Sequence, residues 1–333
     1  DFLPELDLLT YLEAVLRVYN RYGRRDNKFK ARIKILVKAL TPEGFAAKVE
    51  DEWSHIKDSP TRLTQEAIEQ FKGYFTEPDY QQVPDVKDAL ATQRFENREF
   101  DQWISHNVDT HKNPGYAIVT LTMKKTGTPP GDVSDRQLEQ IADLADQYSF
   151  GEVRVTHQQN VVLADVRKDQ LFELWQAITP MDFATANLNT LTDVICCPGG
   201  DYCALANAVS IPIAQALQER FEDLDFLYDL GPLDLNISGC MNACGHHHVG
   251  HIGILGVDKK GEEYYQISIG GNSTDDASLG KILGPSFFRE DVPGVVEKVL
   301  EVYVAERHED ERFLDTYRRI GLKPFKERVY AQQ

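Results

Sequence analysis

Cysteine is scarce in this chain: five among 333 residues, none before Cys196 and none after Cys244. Small secreted domains stapled by disulfides are shorter and denser in cysteine, and an odd count fits them poorly. Apolar runs long enough to span a bilayer are missing too, so no membrane association is expected. Positive charge is in deficit, with 36 Lys and Arg against 53 Asp and Glu, for a net charge of −17. That balance argues against non-specific binding to nucleic acid or anionic lipid over the whole surface, while leaving room for local basic patches. The chain opens DFLPELDLL, without an initiator methionine or a signal peptide, and reads as a fragment or a processed product. A cytoplasmic location is expected, since clustered thiols persist as metal ligands in a reducing compartment.

What is present is ordinary for a globular chain of two domains, or one large one: 42% hydrophobic and 27% charged residues. "DLLTYLEAVLRVYNRYG" has helical spacing, with Leu8, Leu12, Val15, Leu16 and Tyr19 on one face and Gly23 as the stop. Arg24–Lys38 is locally basic, either a solvated helix face or an anion- or partner-facing strip. Thr41 and Pro42 read as the start of a further helix. Residues 59–113 are polar and weakly patterned, and predict an irregular linker. "AIVTLTM" alternates, with Val119, Leu121 and Met123 facing a core and Thr120 and Thr122 facing out, as in a half-buried strand. Ser134 and Gln137 form a capping box before a helix. "EVRVT" and "NVVLADV" read as strands, and "DQLFELWQAI" as a helix. Later, Ala204–Phe221 reads as a helix, "DLNIS", "HIGILGV" and "YYQISIGG" as strands, and Val292–Arg307 as a helix. Helices and strands alternating at short spacing predict an α+β fold of mixed α/β domains with helices on antiparallel or mixed sheets. No internal repeat stands out.

Four of the five cysteines fall into two tight groups, Cys197-x5-Cys203 and Cys240-x3-Cys244. Structural zinc favours gaps of two to four residues, which the second pair meets and the first does not. Iron–sulfur clusters take four thiolates at more varied spacings, and soft sulfur suits either metal. Gly199, Gly200, Gly239 and Gly245 beside the cysteines allow close backbone approach and leave amides free to donate to sulfur, which favours a cluster. Zinc and buried free thiols are the competing readings. Cys196 is left over, a small buried hydrophobe on the plainest reading. His246, His247, His248 and His251 could form a second site, but adjacent residues of an extended segment face opposite ways, so local hydrogen bonding or exposure suits them better.

On these motifs the chain resembles the siroheme-dependent sulfite reductase hemoproteins and assimilatory nitrite reductases, in their later portion. Beside the cysteine spacing, "EVRVTHQQN" is similar to the family's R-x-T-x-x-Q-N strand pair, here Arg154, Thr156, Gln159 and Asn160. "SGCMNACG" resembles its G-C-x-N-x-C-G segment and "ISIGGN" its G-G-N strand. The resemblance implies a helical lead-in over 1–58, the linker, a ferredoxin-like α/β repeat domain over 114–190 and an iron–sulfur and siroheme domain over 191–333. It implies a [4Fe-4S] cluster on Cys197, Cys203, Cys240 and Cys244, with Cys244 bridging to siroheme, and Asn242, Gln159 and Asn160 beside the cofactors. The implied reaction is six-electron reduction of sulfite to sulfide, with nitrite to ammonia as the alternative and a non-catalytic iron–sulfur or zinc module as the alternative of another class. Electrons would come from ferredoxin or a flavoprotein subunit. The family's substrate-binding Arg and Lys lie mostly in the first half, which this chain does not match, so no catalytic residue is assigned. Arg154 reads as structural.

Overall fold

Capping chemistry sets where several helices begin. In the computed structural model, which describes residues 2–27 and 30–331, the hydroxyl of Thr41 accepts from the Gly44 amide at 3.2 Å, and Pro42 opens the helix behind it. The Ser134 and Gln137 capping box forms as expected.

The chain divides into two compact units, residues 1–80 and 81–333. The first holds α1 (Leu8–Tyr22), α2 (Ile33–Leu40), α3 (Pro42–Ile56) and α4 (Gln65–Lys72). α1 packs on α3 through Ala14, Val18, Val49 and Ile56, and the Trp53 indole donates to the Thr10 hydroxyl at 3.0 Å. The expected apolar face is therefore buried only in part, with Val15 packed against this cluster. Small Ala14 lets α3 approach closely, while Leu8, Leu12 and Leu16 stay 45%, 48% and 63% exposed. In the basic stretch, Arg24 pairs with Asp26, Arg25 lies over the Tyr19 ring, and α2 begins only at Ile33. Lys28 and Phe29 of that stretch lie outside the described residues.

Residues 59–113 are not an irregular linker. They contain α4, then α5 (Lys87–Glu96), α6 (Arg98–Asn107) and the short strand β1 (Val108–Thr110). Thr64 and Asn97 cap α4 and α6, and α6 buries Phe100, Trp103, Ile104 and Asn107 at helical spacing. The polar residues between those positions masked the period.

The second unit continues with β2 (Tyr116–Leu121), α7 (Asp135–Tyr148), β3 (Arg154–Val155), β4 (Val161–Arg167) and α8 (Leu171–Ile178). Its first sheet is antiparallel in the order β1-β2-β4-β3. The β2 run is buried on both faces, not one: Thr120 and Thr122 are enclosed, and Thr122 donates to the Thr185 carbonyl at 2.9 Å. The segment around Phe183–Ala186 covers the face that alternation assigned to solvent.

Then come β5 (Ile195–Cys196), α9 (Ile211–Arg220), α10 (Leu224–Leu230), β6 (Leu235–Ser238), β7 (Ile252–Lys259), β8 (Glu262–Ile269) and β9 (Lys281–Ile282). They form a sheet in that order, β5, β6 and β7 parallel and the rest antiparallel. The helix expected over 204–221 starts only at Ile211, because residues before it spend their amides on the cysteine loops. α11 (Val292–Glu306), α12 (Phe313–Ile320) and α13 (Lys323–Tyr330) complete the fold, and α11 buries Val292, Val296 and Leu300 in the main core.

Those last helices expose a repeat that the sequence alone hid. "EAVLRVY" at 13–19 and "EKVLEVY" at 297–303 agree at five of seven positions, and α1 and α11 are both 15 residues long. Each is followed by an eight-residue helix and then by one with proline in its first turn. Leu12 and Leu16, exposed in the first copy, correspond to Val296 and Leu300, which are 0% and 2% exposed in the second. Among the described residues, no helix is long and apolar enough to cross a membrane.

Candidate metal centre

β5 and β6 run parallel, with Cys196 opposite Ile237, so each delivers its cysteine loop at the same end of the sheet. The carboxyl ends of parallel strands are where open α/β sheets hold ligands. Backbone hydrogen bonds then stitch the loops together. The Cys197 amide donates to the Ile237 carbonyl at 3.1 Å, and the Gly239 amide donates to Cys197 Sγ at 3.0 Å. Asn207 and Ala208 both donate to the Gly239 carbonyl, at 2.9 and 3.1 Å. This closeness requires glycine: a Cβ on Gly239 would sit 2.6 Å from the Ala208 oxygen and 2.8 Å from Gly199 Cα.

The second loop is tied to β6. Ser238 accepts from the Gly245 amide at 3.1 Å, and Asn236 donates to the His246 carbonyl at 3.1 Å. Ala243 and His246, on either side of the last cysteine, hold φ of 59° and 55°, conformations that side chains resist unless the surroundings impose them.

Within this frame Cys240 is buried, Cys197 and Cys203 are half-buried, and Cys244 is exposed, as is Asn242. Exposed apolar side chains sit on the same loops: Tyr202, Leu205 and Met241. The loops carry neither Lys nor Arg, and Asp201 is the one acidic residue in them. Among the described residues, no three His, Cys, Asp or Glu side chains converge on one ion-sized point. The donor chemistry fits a cluster nonetheless. Four thiols come from two interlocked loops, with a backbone amide already aimed at one sulfur.

Cys196 stands apart. It is buried in the core, its thiol donates to the Cys197 carbonyl at 3.2 Å, and burial pushes its pKa well above the ordinary thiol range. Metals take the thiolate, so this thiol is a poor ligand. Gln159 and Asn160 use their side chains inside the protein. The Gln159 amide accepts from the Cys196 N–H and donates to the Cys196 carbonyl, both at 2.8 Å, while Asn160 donates to Asp193 at 3.0 Å. Arg154 is exposed and paired with Glu152. Lys124, which the sequence reading passed over, is fully buried next to this group. A lysine directly after a strand is usually solvated, so only a search for charge inside an apolar run would have found it.

The histidines have separate environments. His246 and His248 are exposed, and half-buried His251 accepts from the Asp234 amide through Nδ1 at 3.1 Å. His247 is buried with Nδ1 unpartnered, and burial beside the His248 ring holds its pKa down to about 4. Between about pH 6.5 and pH 4 the unfolded chain binds a proton that folded His247 refuses. The stability contributed is full above about pH 6.5 and lost as pH falls through about 4. Lowering the pH from 7 to 5 should therefore depress the melting temperature of the wild type more than that of His247→Leu, by a margin of about 2 kcal/mol in stability. Equal slopes would show that His247 is not held neutral.

A family model described as the nitrite and sulphite reductase 4Fe-4S domain matches residues 1–57 and 188–333, and one for the nitrite/sulfite reductase ferredoxin-like half domain matches 119–181. A chloroplastic ferredoxin–nitrite reductase from Arabidopsis thaliana is 26% identical over 93% of this chain and 48% of its own length. A sulfite reductase [ferredoxin] 2 from Mycolicibacterium paratuberculosis is 28% identical over 90% of this chain and 49% of its own. The solved structure of the Mycobacterium tuberculosis NirA protein shares the fold, with a TM-score of 0.66 at 22% identity, over 97% of this chain and 54% of that one. The chain spans about half the length of the curated relatives it matches.

Proposed function

The chain belongs to the nitrite and sulphite reductase family, and on that premise we propose that it is the cluster-bearing part of a siroheme-dependent reductase that converts sulfite to sulfide. The observation that carries this reading is the interlock of the two cysteine loops at one end of parallel strands, with a single exposed thiol, Cys244. Cys197, Cys203, Cys240 and Cys244 would hold a [4Fe-4S] cluster, and Cys244 would face siroheme. When bound, the cluster supplies electrons singly and siroheme supplies the iron at which the oxyanion is reduced.

The protein's own residues tune and orient. Gly239 donates its amide to the Cys197 sulfur, which stabilises the more negative, electron-rich sulfur and so raises a cluster's potential. Strained turns at Ala243 and His246 hold Cys244 outward. Tyr202, Leu205 and Met241 offer apolar surface of the kind a macrocycle covers. Neither loop has a cation, so the charge needed to desolvate an oxyanion must come from other parts of the protein. Ferredoxin is the proposed electron donor, as in the names of several relatives, and a flavoprotein subunit is the other candidate. Nitrite is the second substrate reading, because ferredoxin–nitrite reductases stand among the relatives.

The test is metal analysis with the anaerobic visible spectrum, followed by turnover. Four irons and four acid-labile sulfides per chain, with a sharp Soret band and a long-wavelength chlorin band, are expected. One zinc with no iron would end the cluster reading, and a broad cluster shoulder alone would make the chain a non-catalytic iron–sulfur module. With both cofactors bound, sulfide from sulfite should outpace ammonia from nitrite; the reverse ranking would overturn the sulfite assignment.

A further inference from the structure

Gln159 sits in the turn joining β3 to β4, in the ferredoxin-like half domain, yet its side chain behaves as a strand partner of the other sheet. Its amide oxygen takes the Cys196 N–H and its amide nitrogen gives to the Cys196 carbonyl, each at 2.8 Å. Its own backbone pays for that reach with φ of +60°, a region in which a glutamine persists only when its surroundings over-determine it. The turn is anchored from below: the Thr156 amide donates to the Asn160 carbonyl at 3.0 Å, the Asn160 amide donates to the Thr156 hydroxyl at 3.1 Å, and Asn160 Oδ1 accepts from the Met123 amide at 3.0 Å. Lys124 clamps the same approach, with Nζ 2.6 Å from the Val194 carbonyl and 2.8 Å from that of Gln158. Gln159 on Cys196, Lys124 on Val194 and Asn160 on Asp193 together hold the short run 193–196 that leads into Cys197.

We propose that Gln159 is a positioning residue for Cys197: through the backbone of Cys196 it lets the ferredoxin-like half domain set where the first thiol of the neighbouring loop stands. What that thiol then binds rests on the cluster reading above; the positioning itself does not. Because Gln159 forms both of its hydrogen bonds with one residue, shortening its side chain by a single methylene breaks both together. The loop keeps its other tether, the Cys197 amide on Ile237, so it loosens locally while the domain stays folded.

The experiment uses the metal-free chain and measures iodoacetamide alkylation of each cysteine by peptide mass spectrometry. Gln159→Asn keeps an amide and suits positive φ, but is too short to reach; Gln159→Gly suits the turn and has no side chain. Both variants should raise the alkylation rate at Cys197 about tenfold, the effect of losing two ordinary hydrogen bonds, and leave Cys203 and Cys240 within about twofold of wild type. If Gln159 served only the turn, glycine would substitute for it and Cys197 would react as before, which overturns the proposal. A parallel rise at Cys197, Cys203 and Cys240 overturns it too, since Gln159 would then hold the domain and not one thiol. Iron and sulfide analysis of reconstituted wild type is the separate check on the cluster: failure there removes the cluster reading, whereas unchanged Cys197 reactivity removes this one.

Discussion

On the proposed ligand set, Cys244→Ser should abolish the cluster and Cys240→Ser should do the same, whereas Cys196→Ser should leave iron and acid-labile sulfide at wild-type levels. The expectation follows from what each sulfur faces. Cys240 and Cys244 stand on a loop clipped to β6 by Ser238 and Asn236, so a replacement side chain cannot move to compensate. Serine offers a harder oxygen with a far higher pKa than a thiol, a poor match for iron in a sulfide-bridged cluster. Cys196 points into the core, and its thiol donates to the Cys197 carbonyl at 3.2 Å. A serine hydroxyl can make that same bond, so the variant should fold at a cost of about 1–2 kcal/mol for the buried polar group. Absorbance near the cluster shoulder and chemical iron give the answer. Loss of iron in Cys196→Ser, with retention in Cys197→Ser, would show that the neighbouring thiol is the ligand.

Lys124→Met destabilises the second unit by about 3–5 kcal/mol, the range for breaking a buried ion pair from one side. The ammonium has three oxygen partners, the carbonyls of Gln158 and Val194 and the Asp193 carboxylate 3.4 Å away, and none of the side chain reaches solvent. Burial draws the Lys124 pKa down, and the Asp193 charge opposes that shift. With methionine there, the Asp193 carboxylate remains enclosed with only the amides of Asn160 and Asn189 to meet it. The melting temperature should drop by roughly 8–15 °C for a domain of this size. Lys124→Met combined with Asp193→Asn removes the stranded charge while keeping an acceptor for Asn160, and should recover about half of the loss. A double variant no better than the single one would mean that the two carbonyls, and not the carboxylate, dominate.

Local features were legible where one or two residues decide the outcome. The Thr41 cap with Pro42, the Ser134 capping box, the stop at Gly23 and the strands over 252–269 follow from short-range chemistry, and each forms close to where the sequence predicts it. The reading failed where burial depends on a distant neighbour. Polar residues 59–113 conceal helices because their apolar positions are few and widely spaced. Thr120 and Thr122 look like an outer face until residues 183–186 cover them. On α1 two apolar stripes compete, and small Ala14 wins over the larger leucines because it admits α3.

By itself the sequence determined the α+β class, the thiol chemistry and the two cysteine groups, since spacing along a chain needs no third dimension. Only the tertiary structure decided how the sulfurs are placed. Parallel pairing of β5 with β6 carries two loops some forty residues apart to one sheet end, turns Cys196 inward and leaves Cys244 facing out. It also gave the Gln159 and Asn160 side chains partners in Cys196 and Asp193. The reason is physical: buried amides and charges must find partners wherever the fold brings them, and no local pattern records which ones those will be.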